Sequence, residues 1–187
     1  MENKIRCAWC GNDPLYQKYH DEEWGVPVYD DRKLFEFLVL ETFQAGLSWI
    51  TILRKRENFR KAFDSFEYEK VAKYSEEKIH ELLLDPGIIR NKLKVRAAVS
   101  NAQAFIKVQE EFGTFSKYIW GFTDGKPIIN TLRTLKEIQP TTPLSDTISK
   151  DLKKRGFKFV GSTVVYAHMQ ATGMVNDHVA DCWTKTQ

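Results

Sequence analysis

The sequence predicts an all-α fold. Apolar residues recur at helical spacing through most of the chain, strand-like alternation is nearly absent, and Gly and Pro are sparse and mark element ends. Residues 31–44 place Leu34, Phe35, Phe37/Val39 and Leu38 on a broad apolar face, with Asp30 or Asp31 as N-cap and Gly46 as terminator. Ser48 caps a second helix over residues 49 to about 63, with Ile50, Ile52 and Leu53 inside. Ser75 caps a short helix ending at Leu84, and Pro86-Gly87 forces a turn. A long helix follows over about 91–111, burying Val95, Ala98, Val99, Ala102, Phe105, Ile106 and Val108. Residues 116–122 form a short apolar piece, and the proline-bearing stretch 123–144 reads as an ordered loop or linker. Ser145 caps another helix to about Arg155, and residues 161–172 make the last helix from small and apolar side chains.

A chain of 187 residues and 21.8 kDa suffices for one full-sized domain or two small lobes, with a core that needs no disulfide staples. Its 42 % apolar and 28 % charged residues exclude a disordered or fibrous chain. No apolar run approaches the roughly 18–20 residues of a membrane span. The N-terminus lacks the apolar core of a signal peptide, so the expected compartment is the cytoplasm. Three cysteines, an odd number, argue against a disulfide framework there.

Those cysteines pair with histidines at the two chain ends. Cys7, Cys10 and His20 lie near one terminus; His178 and Cys182, spaced four apart, lie near the other on one face of a helical turn. Two thiolates and two imidazoles form a tetrahedral set suited to a structural Zn²⁺, with five candidates for four places. The competing reading of Cys7-x-x-Cys10 as a redox dithiol lacks its βαβ context. His80 reads as solvated and His168 as packed or capping.

The net charge of +3 hides local asymmetry. Segments 54–61, 90–96 and 150–158 carry five, four and five positive charges against one, none and one negative. If they converge they form an electrostatic footprint for a phosphate backbone; otherwise they are solvated helix faces. Around the middle segment, residues 83–90 join two helices through a Pro-Gly turn. The amides that open the next helix can bind a phosphate, with Lys92 and Lys94 adding charge. This resembles the helix-hairpin-helix DNA-binding element.

A second constellation is aromatic and acidic. Residues 16–25 hold Tyr16, Tyr19 and Trp24 with Asp21, Glu22 and Glu23, and three of the five Trp (Trp9, Trp24, Trp49) fall in the first 49 residues. Glu41 lies on the apolar side of helix 31–44, where a carboxylate is costly unless it is hydrogen-bonded, paired with an Arg, or functional. Flat aromatic walls with a carboxylate at the end suit a flat heterocycle bearing N–H donors or positive charge. The alternative is that these aromatics are ordinary core residues.

Ordered blocks across the chain give these features a family. They are Asp13-Pro14-Leu15-Tyr16, Tyr19-His20-Asp21 and Glu23-Trp24-Gly25-Val26-Pro27; Leu40-Glu41 and Gln44-Ala45-Gly46-Leu47-Ser48-Trp49-Ile50-Thr51; Gly87-Ile88-Ile89-Arg90; the stretch 152–161; and Val175-Asn176-Asp177-His178. The chain closely resembles the 3-methyladenine DNA glycosylase I family. The resemblance implies a helix-hairpin-helix glycosylase fold as a single domain over 1–187, with a central helical lobe of about 31–122 holding the hairpin and a second lobe from the two terminal segments. It implies one structural zinc per chain at Cys7, His20, His178 and Cys182, leaving Cys10 spare. Tyr16, Tyr19, Trp49, Trp9 and Trp24 are the implied base contacts, with Glu41 at the catalytic position. Gly46 and Leu47 match the turn inserted into the gap left by a flipped nucleotide, and Gly87, Ile89, Arg90, Lys92 and Lys94 are assigned to the DNA.

The expected activity is excision of N3-methyladenine from double-stranded alkylated DNA by base flipping and N-glycosidic hydrolysis. The expected enzyme is monomeric, has no lyase step and no membrane contact, and shows narrow specificity. The family lacks the catalytic Asp common among helix-hairpin-helix glycosylases, and its cationic substrate has an already weakened bond. A non-catalytic, zinc-stapled DNA-binding module and a zinc sensor are the competing expectations.

Overall fold

The computed structural model describes residues 4–44 and 46–186, and of Thr186 only the backbone. Among the described residues nine α-helices carry the fold: α1 (Pro14–Glu22), α2 (Asp31–Gln44), α3 (Trp49–Ala62), α4 (Tyr68–Val71), α5 (Glu76–Leu84), α6 (Lys92–Phe112), α7 (Phe115–Trp120), α8 (Pro143–Lys154) and α9 (Ser162–Ala171). None is long and apolar enough to cross a membrane.

Local signals set most of the boundaries. Asp30 opens α2, its side chain accepting from the Lys33 amide at 2.8 Å, and Ser75 caps α5 by accepting from Lys78 N. Three expectations need correction. Ser48 stands at the N-cap of α3, but its hydroxyl meets Thr51 Oγ1 at 2.8 Å instead of a backbone amide. Helix α8 begins at Pro143, before Ser145. Thr142 is its N-cap, and Ser145 is the reciprocal partner in a capping box. Segment 123–144 is more than a linker: it contains a 3₁₀ turn (Leu135–Glu137) and strand β1 (Ile128–Ile129), which pairs in parallel with β2 (Val175–Asn176).

Helix α2 is the axis of the molecule. It packs against α3, α6, α7 and α9, and residues 34–43 are all buried. A single broad apolar face was the expectation; the helix is instead covered all round, the state of a helix inside a core. Phe35 stacks toward Phe105, and Phe43 toward Phe59 and Phe63, with centroids 4.9–6.0 Å apart. Asp31 ties the start of α2 to α7, accepting from the Phe115 and Ser116 amides at 2.8 Å and from Gln109 Nε2 at 2.6 Å.

Two connections position the site. Residues 24–28 thread along the end of α9, with Gly25 N donating to Gln170 O (2.9 Å) and Val28 N to Thr172 O (3.0 Å). At Gly173, φ is +68° and a Cβ would lie 2.2 Å from the Val26 carbonyl carbon, so only glycine fits there. Helices α5 and α6 are joined through residues 85–91. Gly87 N donates to Asp85 Oδ1 at 2.7 Å, Lys55 Nζ to Pro86 O at 3.0 Å, and Lys94 N to the Asn91 cap at 3.1 Å.

Candidate active site and metal centre

Helix α2 carries two buried carboxylates, and its surroundings treat them differently. Glu36 receives the Arg56 guanidinium at 2.6 Å and Arg60 at 2.8 Å, and Arg56 also donates to Glu23 at 2.8 Å. Glu41, 4 % exposed, forms no hydrogen bond or ion pair with a described residue. Burial alone raises its carboxyl to about 8, which favours the neutral acid at neutral pH. The Arg partner that would have made Glu41 structural is taken by Glu36.

Glu41 borders a cavity of about 230 Å³ with Trp9, Tyr16, Tyr19, Trp24 and Trp49. All five expected base contacts therefore converge on one space. Trp9 meets Tyr16 and Trp24 edge-on, each at 4.9 Å, and Tyr19 lies 5.5 Å from Trp49. The indole N–H groups of Trp9 and Trp49 are buried without an acceptor among the described residues. Four further lining residues escaped the sequence reading: Gln44, Ile138, Ala167 and Gln170. Gln44 was within reach, three residues past Glu41 on the same helix face. Ile138 comes from the segment taken for a loop, and nothing local marks it.

Behind the aromatic wall the chain ends meet. The ligand atoms of Cys7, His20, His178 and Cys182 lie within 4.8 Å of one another, all buried, and together could hold a metal ion. The separations of Cys7 Sγ from His178 Nδ1 (3.6 Å), and of Cys182 Sγ from His20 Nε2 and His178 Nδ1 (3.5 Å each), match the roughly 3.5 Å edge of a tetrahedron built on zinc–sulfur and zinc–nitrogen bonds. The outer ring nitrogens are engaged: His20 Nδ1 with Asp21 Oδ1 at 2.8 Å and His178 Nε2 with Trp24 O at 2.9 Å. Both acceptors take a ring N–H, the usual support of a metal-ligating imidazole; the inner nitrogens face the thiols and also meet the Cys7 amide (3.2 Å from His20 Nε2) and the Thr184 hydroxyl (2.8 Å from His178 Nδ1). Asp21 is itself gripped by Arg6 and by Trp183 Nε1. Burial raises the Cys7 thiol and lowers His178; a cation would counter the first by favouring thiolate. Cys10 stays outside the cluster, its thiol on Cys7 O. His80 is exposed, and His168 is buried with Nε2 3.0 Å from Leu34 O.

Several charges of the three basic segments are answered by carboxylates. In 54–61, Arg54 pairs with Asp13 at 2.7 Å, Arg56 is buried among carboxylates, and Arg60 pairs with Glu36 and Glu57. In 150–158, Arg155 pairs with Asp151 and Glu111, each at 2.6 Å. At the α5–α6 connection Arg90 and Lys92 are exposed, free of ion pairs with described residues, and Gly87 and Ile89 are half-buried. Lys94 departs from the expected surface position. It is 7 % exposed, and its Nζ donates to Phe43 O at 3.1 Å, near the C-terminal end of α2. Just past that end, Gly46 (φ +85°) and Leu47 are exposed at a turn closed by Leu47 N to Gln44 O. Ala45 lies outside the described residues.

A slot walled by indole and phenol rings and closed by an unpaired carboxyl, on a helical body, defines a receptor for a flat heterocycle. Residues 9–185 match the family model described as methyladenine glycosylase, and the chain belongs to that family. It is 50 % identical to Escherichia coli DNA-3-methyladenine glycosylase 1 over 177 residues, 95 % of each chain. It is 46 % identical to the Haemophilus influenzae DNA-3-methyladenine glycosylase over 181 residues, 97 % of this chain and 98 % of that one. A crystal structure of 3-methyladenine DNA glycosylase I superposes with a TM-score of 0.92 at 50 % identity, covering 96 % and 98 % of the two chains. A Staphylococcus aureus 3-methyladenine DNA glycosylase I, in a structure of its 3-methyladenine recognition, gives 0.94 at 39 % identity over 97 % of each.

The state of Glu41 has a consequence for stability. Its folded value of about 8 lies above the ordinary 4.5, so the native state holds the extra proton between those two pH values. Stability contributed by that proton is complete below about 4.5 and is lost as pH rises through about 8, at a cost on the order of 5 kcal/mol. Glu41→Gln removes this loss. Thermal unfolding should show the variant more stable than the parent at pH 8.5, by about 5 °C or more, with little difference at pH 5.

Proposed function

We propose that this chain is a DNA repair glycosylase that excises N3-methyladenine from alkylated duplex DNA. The observation that carries the reading is the unpaired, buried Glu41 at the end of an aromatic cavity, in a chain of this family. In this reading the damaged nucleotide leaves the stack, and its base lies against Trp49 and Tyr19, with Trp9, Trp24 and Tyr16 around it. Gly46 and Leu47 fill the space it vacates. Arg90 and Lys92, with the amides at the start of α6, hold the phosphates; Gly87 and Ile89 shape that turn, and Lys94 positions it. The setting is the cytoplasm, with the enzyme acting as a monomer on double-stranded DNA.

The chemistry follows from the substrate. Alkylation at N3 makes the purine cationic, so the C1′–N9 pair of electrons leaves readily onto the base and neutralises it. Water adds to C1′ and loses a proton. Beside a cationic base Glu41 gives up its proton to solvent water, and the resulting carboxylate accepts hydrogen bonds from the base. Recognition is its first role, and part of the transition-state contact its second. In this reading the enzyme is monofunctional, with no lyase step.

The four-residue cluster would hold zinc as a closed structural site, joining the chain ends behind the pocket; the ion supplies cross-linking, not reaction chemistry. Purified protein should retain one zinc per chain through dialysis, measured by elemental analysis, and metal-free protein with unchanged thermal unfolding would remove the assignment.

Incubation with methylated DNA should release free 3-methyladenine. A protein that binds the DNA and releases nothing is the non-catalytic module. kcat/KM should climb with pH and level off above about 8 as Glu41 ionises. Glu41→Gln should flatten that rise and lower efficiency by about 10- to 100-fold, the worth of a hydrogen bond to a charged group. Reversing Arg90 and Lys92 to Glu should weaken binding to all duplex sequences alike and flatten its salt dependence by about two counterions; an unchanged slope takes the hairpin off the DNA.

A further inference from the structure

Gln170 of α9 borders the cavity opposite its own anchor. Its Nε2 donates to Asp177 Oδ2 at 2.8 Å. Asp177, 1 % exposed, also receives Asn130 Nδ2 and the Tyr166 hydroxyl, each at 2.7 Å. Three donors converge on one carboxylate, and a carboxylate only accepts. The amide is therefore oriented: nitrogen toward Asp177, oxygen away from it. The backbone of Gln170 is fixed as well, its carbonyl taking Gly25 N at 2.9 Å. Oε1 accepts from no described residue, in a side chain that lines the base cavity.

We propose that Gln170 is a specificity-determining residue, presenting a fixed hydrogen-bond acceptor to the exocyclic amine of the bound base, with Asp177 as its positioning residue. This inference rests on the base-recognition reading above. Adenine derivatives carry two N–H bonds at C6, and the Glu41 carboxylate and Gln170 Oε1 are acceptors for them on the cavity wall. Guanine derivatives carry a carbonyl oxygen at C6, which would face Oε1 acceptor to acceptor, with no rotation of the amide available because Asp177 holds its other end. The site is thus built to reject a 6-oxo purine of the same shape, the asymmetry that makes polar discrimination stronger than steric discrimination.

The test titrates free 3-methyladenine and free 3-methylguanine into the full-length protein, following the fluorescence of the tryptophans that wall the cavity. Gln170→Met keeps the length and removes the acceptor. The parent should prefer 3-methyladenine, and in Gln170→Met that preference should fall by about tenfold, through weaker 3-methyladenine binding and unchanged or tighter 3-methylguanine binding. Gln170→Asn, whose shorter amide cannot reach Asp177 and the base together, should show the same loss and serves if the Met variant does not fold. A preference ratio unchanged in a folded variant overturns the role of Gln170 and leaves the glycosylase reading intact. A parent protein that binds neither base overturns that reading and this inference with it.

Discussion

Burial of α2 is the constraint on which the rest depends. A helix covered on all sides cannot carry free carboxylates, since taking an ionised carboxyl out of water costs several kcal/mol unless it is paired. The molecule resolves this twice, in opposite ways. Glu36 is answered by Arg56 and Arg60 from α3. Glu41, five residues on, has no hydrogen-bond or ion-pair partner among the described residues, and burial holds it as a neutral acid beside a cavity. The same desolvation that lifts its proton affinity makes it a strong acceptor once a donor-rich or cationic base arrives. In the proposed reading binding and ionisation are one event, and the aromatic walls raise its strength by excluding water.

The wall that faces this acid is held from behind by the chain ends. Trp9 lies 5.2 Å from the His20 ring and Trp24 4.6 Å from His178, while Trp24 O takes the His178 ring N–H. The two indoles are therefore ring neighbours of the cluster as well as lining the pocket. A cation bound there closes a loop of more than 170 residues, from Cys7 to Cys182, an entropic constraint worth on the order of 5 kcal/mol. It also fixes ring positions to the precision of metal–ligand bonds. Asp177 extends this arrangement: it neighbours His178 in sequence and orients Gln170 toward the same cavity.

Much of the plan was legible, and the failures share a cause. Helix α2 was delimited because its signals are local, a cap at Asp30 and a glycine at 46. Glu41 stood out because a carboxylate at apolar spacing is anomalous within one helix. The start of α8 was placed late because Ser145 and Thr142 are both good caps, and the proline at the first helical position, which favours Thr142, was given no weight. The basic segments were legible only in part, for a different reason. Charge is visible in a sequence, but its partners are not: Asp13 answers Arg54 from 41 positions away and Glu36 answers Arg56 from 20. Gln170 carries no local mark at all; only the packing of α9 against residues 24–28 brings it to the cavity.

Lys94 shows how one position of a charge run can act differently from its neighbours. Arg90 and Lys92 point to solvent at the turn, whereas Lys94, one helical step further, turns inward and donates to Phe43 O. A cation there offsets the negative end of the α2 dipole and satisfies a carbonyl that the helix leaves open. It also fixes the start of α6 to the end of α2. The exposed Gly46–Leu47 turn and the exposed Arg90–Lys92 turn thereby sit on elements that pack together and are tied by the buried Lys94 ammonium. In the proposed reading the first fills the gap in the duplex and the second grips the phosphates, so Lys94 sets the spacing between wedge and anchor without touching the DNA. Because α2 also carries Glu41, the depth of the base pocket and the position of the phosphate grip are two readings of the same rigid helix.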